Sequence, residues 1–117
     1  MRYLFILNDP PYGTERCYNT LRIANSLPRT DGEAELTVFL MADAVVAARH
    51  GQKTPNGYYN VERMLRKVLA DKGRVLLCGT CMEARGMTEA DMMSGAARSS
   101  MDELAAAIVV SDRLLVF

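Results

Sequence analysis

The chain has no tryptophan, one histidine (His50), three cysteines and four prolines, and its 14 Lys+Arg balance 14 Asp+Glu to a formal net charge of 0. Each scarcity excludes something. Three cysteines in 117 residues cannot all pair internally and are far too few for a disulfide-stapled secreted domain. A reducing, cytoplasmic setting is expected. Zero net charge provides no overall field to draw the chain to nucleic acid or to an anionic membrane. It also leaves solubility unprotected by self-repulsion, so exposed apolar surface would favour association. No apolar run approaches the ~20 residues of a membrane span. Residues 3–7 are apolar, but they are too few for a signal peptide and no small-residue cleavage site follows. Neither export nor insertion is expected.

What is present is an ordinary globular composition, 50% hydrophobic and 24% charged, in a length that suits one domain over residues 1–117. Short solid apolar runs at 3–7, 36–41, 75–78 and 114–117 read as buried strands. Helical spacing lies between them. Asn60 is a good N-cap for a helix whose Val61, Met64, Leu65, Val68 and Leu69 share one face and which Gly73 ends. Ser100 to Glu103 has the capping-box spacing, followed by a stripe of Met101, Leu104, Ala105 and Ile108. A first helix is expected from about residue 14 or 15 to Leu27, where Pro28 would stop it, and a short one over 43–49. The segment 51–59 reads as an ordered loop, and 88–99 as a helical turn with a short strand. This alternation predicts an α/β fold: a three-layer α/β/α arrangement on a mainly parallel sheet, of the Rossmann-like or flavodoxin-like kind.

Ligands of such sheets bind beyond the carboxyl ends of the strands, so the segments after Asn8, Met41 and Cys78 matter most. Cys78 closes the third run and enters Gly79-Thr80-Cys81, with Arg85 four residues on. Backbone N–H groups and a nearby cation would lower its pKa and favour the nucleophilic thiolate. The competing reading is a small hydrophobe completing Val75-Leu76-Leu77. The Cys78-x-x-Cys81 spacing is half a zinc site with no second half, so no metal is expected. A thioredoxin assignment is weak because all four prolines precede the pair. What remains is a dithiol segment able to hold or pass sulfur.

Tyr12, Gly13 and Thr14 follow the first strand at a helix N-terminus that would favour an anion, and the plainer alternative is a rigid connection. Asp43 follows the second strand and reads more readily as an N-cap than as a catalytic acid. His50 beside Gly51 suits a helix C-terminus. The first connection has one glycine and matches no P-loop or dinucleotide fingerprint, so no cofactor is expected. Nothing supports hydrolase chemistry. Five of eight methionines lie in the last third, either filling a core or forming an adaptable contact surface.

Taken in order, Pro11-Tyr12-Gly13-Thr14, Leu40-Met41-Ala42-Asp43-Ala44-Val45, Gly51-Gln52-Lys53, Gly57-Tyr58-Tyr59-Asn60 and Met64-Leu65 make a familiar series. It continues with Cys78-Gly79-Thr80-Cys81, Arg85-Gly86 and the terminal Asp112-Arg113-Leu114-Leu115-Val116-Phe117. Almost end to end the chain resembles the DsrE/DsrF-like family, and within it the YchN-like branch. The resemblance implies a compact domain with a mainly parallel five-stranded sheet, assembled as a homohexamer. It also implies a persulfide-carrying cysteine at the end of the third strand, which here is Cys78, exchanging sulfur with donor and acceptor proteins.

Three readings follow. In the first, Cys78 accepts sulfur, Cys81 is an auxiliary thiol, and Arg85 with loop amides stabilises the anionic sulfur. In the second, the chain is a non-catalytic hexameric scaffold binding a small anion or a partner, with Cys78 simply packed and the Met-rich region and the Tyr58-Tyr59 loop supplying contacts; Tyr12, Gly13, Thr14 and Asp43 are the anion- or ligand-binding candidates. The third is dithiol redox activity through a Cys78–Cys81 disulfide.

Overall fold

The computed structural model describes all residues, 1–117. Five strands form one sheet: β1 (Arg2–Leu7), β2 (Glu35–Leu40), β3 (Arg74–Cys78), β4 (Ala97–Ser99) and β5 (Arg113–Val116). Their order is β4-β3-β2-β1-β5, and every pairing is parallel. Helix α1 (Arg16–Thr30) links β1 to β2, and α2 (Val61–Ala70) links a 3-10 segment (Ala42–Ala48) to β3. The short α3 (Gly79–Ala84) follows β3, and α4 (Met101–Val110) joins β4 to β5. The first four strands step in one direction, whereas α4 carries the chain back across the whole sheet. With right-handed crossovers, α1 and α2 cover one face and α4 the other. Accordingly α1 packs on α2, and α4 packs on β1. The fold is α/β with a parallel five-stranded sheet: the apolar runs predict four of its strands, and β4 is the short strand expected within 88–99.

The core follows from the strand runs. Leu4, Phe5, Leu7, Val38, Phe39, Leu40, Val75 and Leu77 are essentially solvent-free. From α1 come Cys17, Leu21 and Ala24, and from α2 Val61, Leu65 and Val68. Met82, Met87, Met92 and Met93 are buried as well, so four of the five late methionines fill the core.

Several expectations need correction. The first helix does not stop at Leu27 but includes Pro28 and ends at Thr30. A proline there deletes one main-chain donor near the end of the helix, where only two residues follow and Asp31 N–H still reaches Leu27 O at 2.8 Å. The short helix after β2 is 3-10, entered through Ala42 at φ 51°, and its N-cap is Met41, so Asp43 is not a cap. Ser100 accepts from Glu103 N–H, but no reciprocal bond completes a capping box. Cys78 enters a helix, not a loop.

The last run is not a buried strand: β5 lies at the sheet edge with Leu114 and Val116 exposed. Of the α4 stripe only Leu104 is buried, while Met101, Ile108, Val109 and Val110 face outward. Period and composition report that a residue is apolar, not which chain covers it.

Asn60 caps α2 as expected, its Oδ1 accepting from Arg63 N–H at 3.0 Å. At the other end, Gly73 N–H reaches Val68 O at 2.8 Å and Lys72 N–H reaches Leu69 O at 3.1 Å, the two bonds of a Schellman motif. The left-handed residue is Lys72 (φ 67°), not the glycine. Gly73 is needed for space, because a Cβ there would lie 2.6 Å from Val68 Cγ1 and 2.8 Å from Val68 O. Urea denaturation should therefore show Gly73→Ala losing about 1–3 kcal/mol and Lys72→Gly unchanged or more stable by up to ~1 kcal/mol. A tolerated Gly73→Ala would contradict this account of the turn.

Candidate active site at the end of the third strand

Strand β3 ends at Cys78 and α3 begins at the next residue, so Cys78 is the N-cap of the helix. Its Sγ accepts from Cys81 N–H at 3.4 Å and lies 3.3 Å from Thr80 Oγ1. A sulfur in this position receives what an Asp or Ser oxygen receives at an ordinary cap. Burial alone would push the Cys78 thiol up. Hydrogen bonds from the Cys81 and Thr80 side chains and from their backbone amides outweigh it, and the thiol sits below its usual value. Cys81 goes the other way: burial and its bond to Cys78 raise it, against the Ala42 N–H, 3.2 Å from its Sγ, and the Arg85 charge. The two thiols divide the work of one anion, with the negative charge favoured on Cys78.

Arg85 lies four residues beyond Cys81 on the exit from α3. Its Nε and a terminal nitrogen hold Asp43 Oδ1 at 3.0 and 2.9 Å, and another donates to Cys81 O at 3.0 Å. Asp43 thus clamps the residues after β2 to the residues after β3. This network gathers Cys78, Cys81, Arg85 and Asp43 of the residues the sequence singles out, and within it the Arg85 charge acts on the Cys81 thiol.

Tyr12, Gly13 and Thr14 are engaged elsewhere. Tyr12 hydroxyl donates to Gln52 Oε1 and accepts from Val61 N–H at 3.1 Å. Gly13 lies against the Pro10 ring, and Thr14 Oγ1 donates to Asp9 Oδ2 at 3.2 Å. The Asp9 carboxylate, also 3.5 Å from Arg16 Nε, already supplies a negative charge at that helix start. Gln52 joins the two regions: its amide nitrogen donates to Ala47 O and Arg49 O, and its backbone N–H to the buried Glu62 carboxylate. The 51–59 segment is held by these bonds together with Asn60 Nδ2 donating to Gln52 O at 3.1 Å and Tyr58 N–H donating to Pro55 O at 3.0 Å.

Sequence spacing misses one cation. Arg98 lies on β4, paired with β3 in a register that sets Leu77 opposite Arg98 and Cys78 opposite Ser99. A Cβ on Gly79 would meet the Arg98 guanidinium at 2.7 Å, so that charged group covers the first residue of α3. Glu83 holds it there at 2.6 Å. Twenty residues separate Cys78 from Arg98, and only the parallel pairing brings them together.

Cys78 as a whole is 3% exposed. Its thiol is therefore ionisable but shielded. Cys17 is fully buried, donates to Asp9 O at 3.1 Å, and is pushed up to about 11, chiefly by burial.

A five-stranded, all-parallel sheet covered by helices makes this an α/β protein. The model of the DsrE/DsrF-like family matches residues 1–117, and the chain belongs to that family. It is 35% identical over 116 residues to protein YchN of Escherichia coli strain K12, covering 99% of this chain and 98% of that protein. Protein MJ0989 of Methanocaldococcus jannaschii is 32% identical over 117 residues and is covered, like this chain, over 100% of its length. The crystal structure of YchN from E. coli superimposes with a TM-score of 0.93 over 100% of this chain and 99% of that one. MTH1491 from Methanobacterium thermoautotrophicum superimposes at 0.81 with 14% identity, over 99% of this chain and 98% of that one, a likeness of fold.

Alkylation followed residue by residue by mass spectrometry should modify Cys78 with a half-maximal pH below the ~8.5 of a free thiol. Cys17 should stay unmodified through pH 9. Thr80→Val, which deletes one hydrogen bond to the Cys78 sulfur, should raise the Cys78 midpoint. The sign for Cys17 also fixes an alkaline limit: its folded value exceeds its unfolded one, so its stabilising share is complete below the unfolded value and is lost as pH rises towards 11. Equal reactivity of Cys78 and Cys17 at pH 8 would contradict the assignment.

Proposed function

We propose that the protein carries sulfane sulfur on Cys78. The observation that supports this most is the sulfur's place as N-cap of α3, with donors from Thr80 and Cys81 favouring thiolate. The Cys78 thiolate attacks the terminal sulfur of a donor persulfide, R–S–SH. The donor S–S bond breaks, R–S⁻ departs and takes up a proton, and Cys78–S–SH forms with no net oxidation. Transfer onward is the same exchange run towards an acceptor thiolate. Cys81, held in the neutral form, is an auxiliary thiol that donates to the sulfur anion. Arg85 holds that thiol and its backbone in place, and Arg98 over Gly79 is the cation met by an incoming anionic donor. Such chemistry belongs to the reducing cytoplasm, and all three cysteines are free.

Self-association is part of the same reading. Met101, Ile108, Val109 and Val110 on α4 and Leu114 and Val116 on β5 leave an apolar face uncovered, with Val109 83% exposed. The β5 edge beside it has unpaired main-chain groups. We take a second copy of the chain as the occupant, and the family resemblance supports a homohexamer as the assembly. Zero net charge lets such subunits meet without strong repulsion. The low exposure of Cys78, 3% in the single chain, fits a carrier that meets its donor at a subunit boundary.

Intact mass after incubation with a persulfide donor should show one reducible addition of about 32 Da, a single sulfur atom. Cys78→Ser should abolish it, and Arg98→Ala should slow its appearance several-fold while leaving the melting temperature nearly unchanged. No adduct, or an adduct that persists in Cys78→Ser, would overturn the proposal. For assembly, light scattering should give six chains per particle, and Val109→Glu should yield smaller, folded species. A wild-type monomer would contradict that part.

A further inference from the structure

Four of the five tyrosines gather at one place that neither the thiol site nor the apolar face uses. Tyr59 stacks on Tyr18 at 4.2 Å and 22° and on Tyr58 at 4.5 Å and 23°, with Tyr12 at 5.6 Å. Tyr58 is half exposed, leaving ring surface free at the end of the stack. The stack forms one wall of an open groove of about 470 Å³ between α1 and α2. Arg22, Arg63 and Lys67 line it with Asn25, Asn60 and Met64, and no carboxylate does. Arg22 bonds Asn19 Oδ1 at 3.1 Å and lies 5.3 Å over the Tyr18 ring, while Arg63 has no side-chain partner. Of the three cations only Lys67 is paired, with Asp71 at 3.0 Å. In a chain of zero net charge, two arginines without carboxylates beside a bare tyrosine stack are a local excess that the fold does not need.

We propose that this groove binds a nucleoside phosphate. A nucleobase presents a flat π face, and an exposed aromatic side chain binds any base by stacking on that face. Guanidinium groups match phosphate oxygens with paired donors. The groove combines both features at a volume suited to a small ligand. Its ligand is a single nucleotide and not a long polyanion, because the groove holds only three cations in a chain of zero net charge. Tyr58 at the open end of the stack supplies the platform for the base, Arg22 and Arg63 the phosphate contacts. Tyrosine and arginine also mark protein interfaces, so burial by another chain is the competing occupant.

The two readings separate by calorimetry on the full-length protein with ADP, adenosine and inorganic phosphate as probes. The expected result is saturable binding of ADP at one site per chain, with adenosine and phosphate each at least tenfold weaker. Arg22→Ala combined with Arg63→Ala, both exposed positions, should weaken ADP at least tenfold. Tyr58→Ala should weaken both ADP and adenosine, and Tyr58→Phe should restore both. Cys78→Ser should bind ADP like the parent chain, which keeps this test independent of the sulfur chemistry. ADP binding no tighter than phosphate, or unchanged in the double arginine variant, would overturn the proposal. So would a change of particle size in that variant with ADP affinity untouched.

Discussion

The site depends on one junction, the strand-to-helix turn at Cys78-Gly79. The last residue of β3 is also the cap of α3, so no loop intervenes and the sulfur has to face the first amides of the helix. The glycine at 79 lets the Arg98 guanidinium lie close over the turn, since a Cβ there would sit 2.7 Å from it and push that side chain aside. Arg98 in turn is fixed by the parallel β3–β4 register and by Glu83. Sheet pairing, helix start and cation position are thus one arrangement. The α3 helix has only six residues, so the effect on the thiol comes from specific donors, namely Thr80 and the Cys81 amide, more than from an extended dipole.

A second network keeps that junction in place from the side. Asp43, Arg85 and the Cys81 carbonyl join the residue after β2 to the turn after β3. Ala42 takes a left-handed backbone (φ 51°) and gives its N–H to Cys81 sulfur. A non-glycine residue in that region costs free energy, which the surrounding contacts must offset. The strain and the thiols lie in the same few residues, with the exposed ends of the sheet left to other contacts.

How much of this was legible follows from the type of signal. Runs such as 36–41 and 75–78 are buried on both faces, and continuous aliphatic residues report that directly. The run at 114–117 has the same composition yet lies exposed at an edge, because composition cannot say which chain will cover a residue. The α4 stripe fails for the same reason. Asn60 was readable as a cap because its bond is local, within three residues. Arg98 was not, because its approach to Gly79 depends on strand pairing across the chain; Arg85, close in sequence, is tied to Asp43 and Cys81. The role of Gln52 was hidden likewise, since its partners Ala47, Arg49, Glu62 and Tyr12 share no sequence pattern.

The central claim is that the helix-capped Cys78 thiolate is the sulfur-accepting group, and the pH dependence of sulfur transfer onto Cys78 tests it most directly. A depressed thiol is already ionised below the ~8.5 of a free cysteine, so the rate, measured by intact mass with a donor whose own ionisation is corrected for, should reach its plateau below that pH. Thr80→Val should move the plateau upward. A rate that climbs through pH 9 with no plateau, or sulfur appearing on Cys81 or Cys17 in place of Cys78, would contradict the account.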